Sequence, residues 1–123
     1  MTSREQVIAR RVAASPHFRW MPGMLDYHLP VRVEPDDDDR GCTVPDLTDP
    51  ATLGCLHALA CERWGVDAIT PLDGPDGPEW CGVIAGYSAQ YVSARIPADI
   101  TSAFPVHPHS AAVCAALLDE ALP

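Results

Sequence analysis

The stretch PDLTDPATLGCLHALACERWG, residues 45–65, decides how the rest of the chain must be arranged. Asp49 is a strong helix N-cap, and Pro50 sits at the first helical position, where its missing N–H costs nothing. Leu53, Leu56, Ala60 and Trp64 recur at helical spacing, Leu59 widens the stripe, and Gly65 is placed to end the helix. A helix with one apolar face needs a layer to cover it, so its neighbours in sequence settle the fold class.

On the N-terminal side, Thr2 with Glu5 and Ser3 with Gln6 each fit a capping box. Val7, Ile8 and Val12 then give an apolar stripe, which predicts a helix over 3–14 that stops at Ser15-Pro16. The next stretch, FRWMPGML (residues 18–25), packs two aromatics, two methionines and a Pro-Gly pair into one corner. Phe18 and Trp20 alternate around Arg19 as in a strand, and Pro22-Gly23 fit the centre of a type II turn. Met24, Leu25 and Tyr27 lead out as a second strand, VRVE (31–34) alternates as a third, and Cys42 to Val44 make a short return strand. These segments predict a small antiparallel meander whose apolar side chains form the inner face of a sheet.

On the C-terminal side, DAIT (67–70) has strand composition. PLDGPDGPE (71–79), with three prolines and two glycines, reads as a loop. WCGVIAGY and YVSARI flank the connection Ser88-Ala89-Gln90 as a hairpin, and 97–108 is irregular. HSAAVCAALLDEAL (109–122) closes the chain as a helix with Val113, Cys114, Leu117, Leu118 and Ala121 on its apolar side. The 123 residues suit one domain spanning 1–123. Its expected class is α+β: a small antiparallel sheet, made of the N-terminal meander and the C-terminal hairpin, packed against about three helices.

Seventeen acidic residues against eight arginines give a net charge of −9, spread as +3 over 1–25, −6 over 26–50 and −6 over 51–123. Such a field repels phosphate backbones, so direct nucleic-acid binding through the body is disfavoured. Arg4, Arg10 and Arg11 read as the wet face of the first helix. The N-terminus lacks a continuous apolar segment, and no apolar run approaches the ~20 residues of a membrane span. Five cysteines, an odd number without an export signal, argue for reduced thiols. The expectation is a cytoplasmic protein with no membrane partner.

Among the chemistry-bearing residues, His57 and Cys61 lie four apart on the predicted helix and would face one ion, with His107 and His109 as further ligands. No CxxC or HxxxH spacing accompanies them, so a metal centre is the alternative reading and no cofactor is expected. The run DDDDRG places Asp36, Asp38 and Gly41 as in a calcium loop, but Arg40 takes the fifth position and Leu47 the twelfth, where a bidentate Glu is required. GxSxG, HExxH, P-loop and GxGxxG motifs are all missing, which points away from an enzyme. What remains is a protein-binding surface. Its candidates are the carboxylates Asp36, Asp37, Asp38 and Asp39, against a basic partner, and the apolar corner at Trp20, Met21 and Met24. The competing uses are plain solvation for the carboxylates and core packing for the corner.

The pairing of the Trp20–Met24 turn (WMPGM) with the helix start at Pro45–Leu56 (PDLTDPATLGCL), closed by an Ala/Leu-rich helix, resembles a group of short uncharacterised proteins of tailed bacteriophages and prophages. The resemblance carries no activity and no functional residues. It implies a small accessory protein that acts by binding another protein, for instance a host or defence factor. A self-associating virion or assembly component is the third reading.

Overall fold

A computed structural model describes residues 1–29, 31–34, 43–86 and 92–119. The acidic run at 36–39, Cys42, the 88–90 connection and Ala121 lie outside the described residues. The elements in chain order are α1 (Ser3–Ala13), α2 (Pro50–Trp64), β1 (Ala68–Gly74), β2 (Gly77–Val83), β3 (Val92–Arg95), α3 (Ala98–Ala103) and α4 (Pro108–Leu118). The fold is α+β, with four helices and a three-stranded antiparallel sheet in the order β1-β2-β3 among the described residues.

Local chemistry sets the helix ends. Thr2 closes the capping box on α1: its amide donates to Glu5 Oε1 at 2.7 Å, and the Glu5 amide donates to Thr2 Oγ1 at 3.1 Å. Asp49 caps α2, accepting the Thr52 amide at 3.0 Å. Gly65 ends α2 in the left-handed region at φ 68°, which L side chains rarely adopt.

α4 has no polar face. Every residue from Ser110 to Leu117 is buried, so the helix is not an amphipathic cover but the axis of the core. α1, α2, α3, β1 and β2 all pack on it. Two of its last carbonyls, which no helical N–H reaches, are met from outside. The Trp64 indole N–H donates to the Ala116 carbonyl at 2.8 Å, and Ser15 Oγ donates to the Leu117 carbonyl at 3.4 Å. Trp64 in turn lies against Trp80 of β2, with ring centroids 5.0 Å apart.

Two expectations about the sheet are corrected. The N-terminal meander is not a sheet: among the described residues, 18–34 and 43–46 contribute only the isolated bridges Leu25↔Arg32 and Asp26↔Pro45. The reason is a buried carboxylate. Asp26 is fully enclosed and accepts the amides of His28 at 2.8 Å, Leu29 at 2.9 Å and Thr43, drawing into a side chain the donors a strand ladder would use. Burial by itself would raise the Asp26 pKa, but the amides of Leu29, Thr43, His28 and Val44 outweigh it and hold the group below the ordinary value.

The stretch 71–79 is not a loop. β1 and β2 stay paired down to Gly74↔Gly77, leaving Pro75-Asp76 as the connection. Pro71 is tolerated because β1 is an edge strand. The Ile69 amide, two residues earlier, already donates away from β2, to His57, so the same-facing position 71 has no ladder bond to lose. The segment 97–108 likewise contains the short α3, and the start of α4 at Pro108.

Trp64→Phe leaves the Ala116 carbonyl buried without its donor, an expected cost of about 1–3 kcal/mol beyond the lost volume. Trp80→Phe removes an enclosed indole N–H that has no acceptor among the described residues, so it should cost less. Urea unfolding of both variants ranks them, and equal losses would show that the Ala116 bond contributes nothing.

Candidate functional site

The Trp20–Met24 turn and the helix start at Pro45–Leu56 meet at one joint. The Arg32 guanidinium forks onto the Asp49 carboxylate, Nη1 to Oδ2 and Nη2 to Oδ1, both at 2.8 Å. The same Nη1 donates to the Gly23 carbonyl at 3.0 Å, inside the Trp20–Met24 turn. Thr52 Oγ1 accepts the Leu25 amide at 2.9 Å and donates to Asp49 Oδ2 at 2.9 Å. One carboxylate therefore starts α2 and holds the corner against it. The Arg32 bond and charge, with the Thr52 donors, keep Asp49 far below the usual carboxylate range in spite of burial.

This joint separates the three corner residues read as partner contacts. Met24 is fully buried, and its Sδ accepts the Met21 amide at 3.0 Å, so it anchors the corner in the core and offers no exposed surface. Trp20 and Met21 are half-buried at the surface. Trp20 stands edge-to-face against Phe18, with centroids 5.3 Å apart and planes at 75°.

His57, Cys61 and His109 do come together, but as a latch. His57 Nε2 accepts the Ile69 amide at 3.0 Å, tying α2 to the edge of β1. Cys61 Sγ lies 3.8 Å from that nitrogen, and the His109 ring is 5.4 Å away between centroids. Burial and the neighbouring His109 both lower the His57 pKa. The Ile69 bond also needs the Nε2 lone pair, so it belongs to the neutral ring. Burial, with Asp67 adding to it, raises the Cys61 thiol. His107 stands apart, as the residue before α4, beside a small cavity with Glu5, Phe104 and Ser110. Among the described residues, no group of three or more His, Cys, Asp or Glu is placed to hold a metal ion.

The feature that sequence reasoning missed is a concavity around Arg63. A cleft of about 490 Å³ opens between the ends of α1, α2 and α4, with Arg11, Ser15, His17, Arg63, Leu117 and Asp119 on its walls. A second, of about 410 Å³, shares Pro16, His17 and Arg63 with it and adds Phe18, Arg19 and Glu62. Arg19 is paired with Glu62 through bonds of 3.2 and 3.0 Å, and Arg11 with Asp99. Arg63 is different. Its guanidinium lies 4.2 Å from the centroid of the Trp64 ring, its Nε is enclosed without an acceptor, and it makes no ion pair among the described residues. Burial and the Arg63 charge lower the His17 pKa. Nothing in the helical pattern of 50–64 shows that Arg63 faces residues 15–19; only the chain reversal at Ser15-Pro16 brings them together.

Set against protein-family models, curated proteins and solved structures, the chain matches none. Among the described residues, no helix is long and apolar enough to cross a membrane.

Asp49→Ala removes cap and ion pair together and should lower the unfolding free energy by about 2–3 kcal/mol. Asp49→Asn should cost less, because its amide oxygen still caps α2. Both Asp49 and Asp26 titrate lower folded than unfolded, so their contribution is full above about pH 4 and declines as the pH falls toward the folded values. The urea midpoint of the native protein should therefore drop as the pH falls below about 4. The drop should be smaller in Asp49→Asn, and an equal drop in both would remove Asp49 from the acid response.

Proposed function

We propose that this protein is a small accessory protein of the bacteriophage or prophage kind, which acts in the bacterial cytosol by binding a host-encoded protein and not by catalysis. The observation that carries the reading is the surface of residues 16–21. There the half-buried Phe18 lines a concavity with His17, Arg19, Glu62 and Arg63, Trp20 stands edge-to-face on Phe18, and Met21 is half-buried beside it in the chain. Aromatic side chains, methionine and arginine are the residue types that protein interfaces enrich and that dominate binding energy.

Arg63, which makes no ion pair among the described residues, adds a cation to that surface in a chain of net charge −9. The motif resemblance at Trp20–Met24 and Pro45–Leu56 supports the phage setting. The carboxylates Asp36 to Asp39 are a second candidate contact, for a basic patch on the same partner.

Affinity capture from bacterial lysate, at low and high salt, tests the proposal. One protein should be retained near-stoichiometrically at low salt and weakened at high salt, since exposed charges are screened over ~8 Å at physiological ionic strength and less beyond it. Trp20→Ala, checked for native unfolding behaviour, should lose that protein, and a fourfold Asp-to-Asn change at 36–39 should keep it. The reverse pattern moves the interface to the acidic run. A blank at both salts, with a stable oligomer by light scattering, replaces this reading with a self-associating assembly component.

A further inference from the structure

The cleft at Arg63 has a more specific chemistry than a general cationic surface. Two of its properties converge. First, the guanidinium is positioned on the Trp64 ring and makes no ion pair among the described residues, whereas Arg11 and Arg19 on the same walls are each neutralised. Second, much of the remaining lining is apolar, from Ala14, Pro16, Leu117 and Leu118.

A carboxylate attached to an apolar group satisfies both conditions, because it matches the guanidinium fork and its aliphatic arm meets the apolar lining. We propose that this cleft is a carboxylate-binding subsite, taking an acidic side chain or chain terminus of the protein partner next to one of the partner's aliphatic side chains. This rests on the protein-binding reading above and names the chemistry of what is bound. The Arg63 charge acts on His17 across the cleft, and burial with that charge already lowers the His17 pKa. A bound carboxylate offsets the charge, so occupancy has a signature at His17 separate from any contact shift.

The test needs no partner. N-acetyl-leucine, a carboxylate on an aliphatic arm, is titrated into the full chain at constant ionic strength, with N-acetyl-leucinamide and inorganic phosphate as comparisons. Nuclear magnetic resonance follows the Arg63 Nε–H, the Trp64 indole N–H and the His17 ring. Saturable shifts with the acid, little response to the amide, weaker binding of phosphate and an upward move of the His17 pKa are the expected results. Arg63→Gln should weaken binding about tenfold or more, the loss of charge-assisted hydrogen bonds, and Arg4→Gln should leave it unchanged. Arg63→Lys, which keeps the charge without the fork, should fall between them and serves if the glutamine variant folds poorly. Non-saturating shifts, an equal response to the amide, tighter binding of phosphate, or unchanged affinity in Arg63→Gln would overturn the subsite. Lysate capture and this titration fail separately: a captured protein with no carboxylate response retires only the subsite, and a carboxylate response with no captured protein retires only the host partner.

Discussion

The whole structure depends on a helix that has nowhere to put a polar face. From Ser110 to Leu117 α4 offers only small and aliphatic side chains with one thiol and one hydroxyl, so any surface it left uncovered would be apolar surface in water. Burying each of its larger side chains is worth about 1.5–3 kcal/mol, and that gain is available only if other elements close around the helix on every side. Helices and sheet therefore wrap α4. Cys114, at its centre, shows the result in its thiol, pushed up to about 12 by burial.

A buried helix still has polar ends, and their treatment links the core to the surface. The carbonyls of Ala116 and Leu117 take donors from Trp64 and Ser15, which fixes where the ends of α2 and α1 sit relative to the end of α4. Those three ends enclose the Arg63 cleft. Core satisfaction and the candidate binding surface thus share residues: Trp64 donates through its indole N–H to α4 while its ring supports the Arg63 guanidinium. The cleft follows from the way the helix termini are closed.

A second constraint works on the other side of α2. Asp26 and Asp49 are carboxylates drawn away from bulk water, and each is kept charged by donors the surrounding segment must supply. Asp26 gathers amides and so prevents a sheet; Asp49 gathers Thr52 and Arg32 and so joins the corner to the start of α2. The concentration of Trp, Met, Pro and Gly in residues 20–24 is explained by this joint. Met24 is driven inward as an anchor, while Trp20 and Met21 are left at the edge for other use.

What the sequence determined by itself was everything that depends on neighbours a few residues apart. The span of α2 with its Asp49 cap and Gly65 stop, the capping box before α1, the strand character of 68–70 and the pairing of 80–82 with 92–94 are short-range consequences of spacing and backbone preference. The acidic balance was equally legible. Only the tertiary structure decided what depends on contacts distant in sequence. It spread the strand pairing through a proline-rich stretch, because Pro71 fell on a free edge, and it turned an apparent meander into a coil around Asp26. It also made a latch of His57, Cys61 and His109, because the Ile69 amide claimed the histidine lone pair. Arg63, an ordinary last-turn arginine in the sequence, acquired its cleft from Ser15, His17 and Leu117, which lie 46 or more positions away. No local pattern encodes such a meeting, since it arises from how three helix ends satisfy their polar groups around one apolar helix.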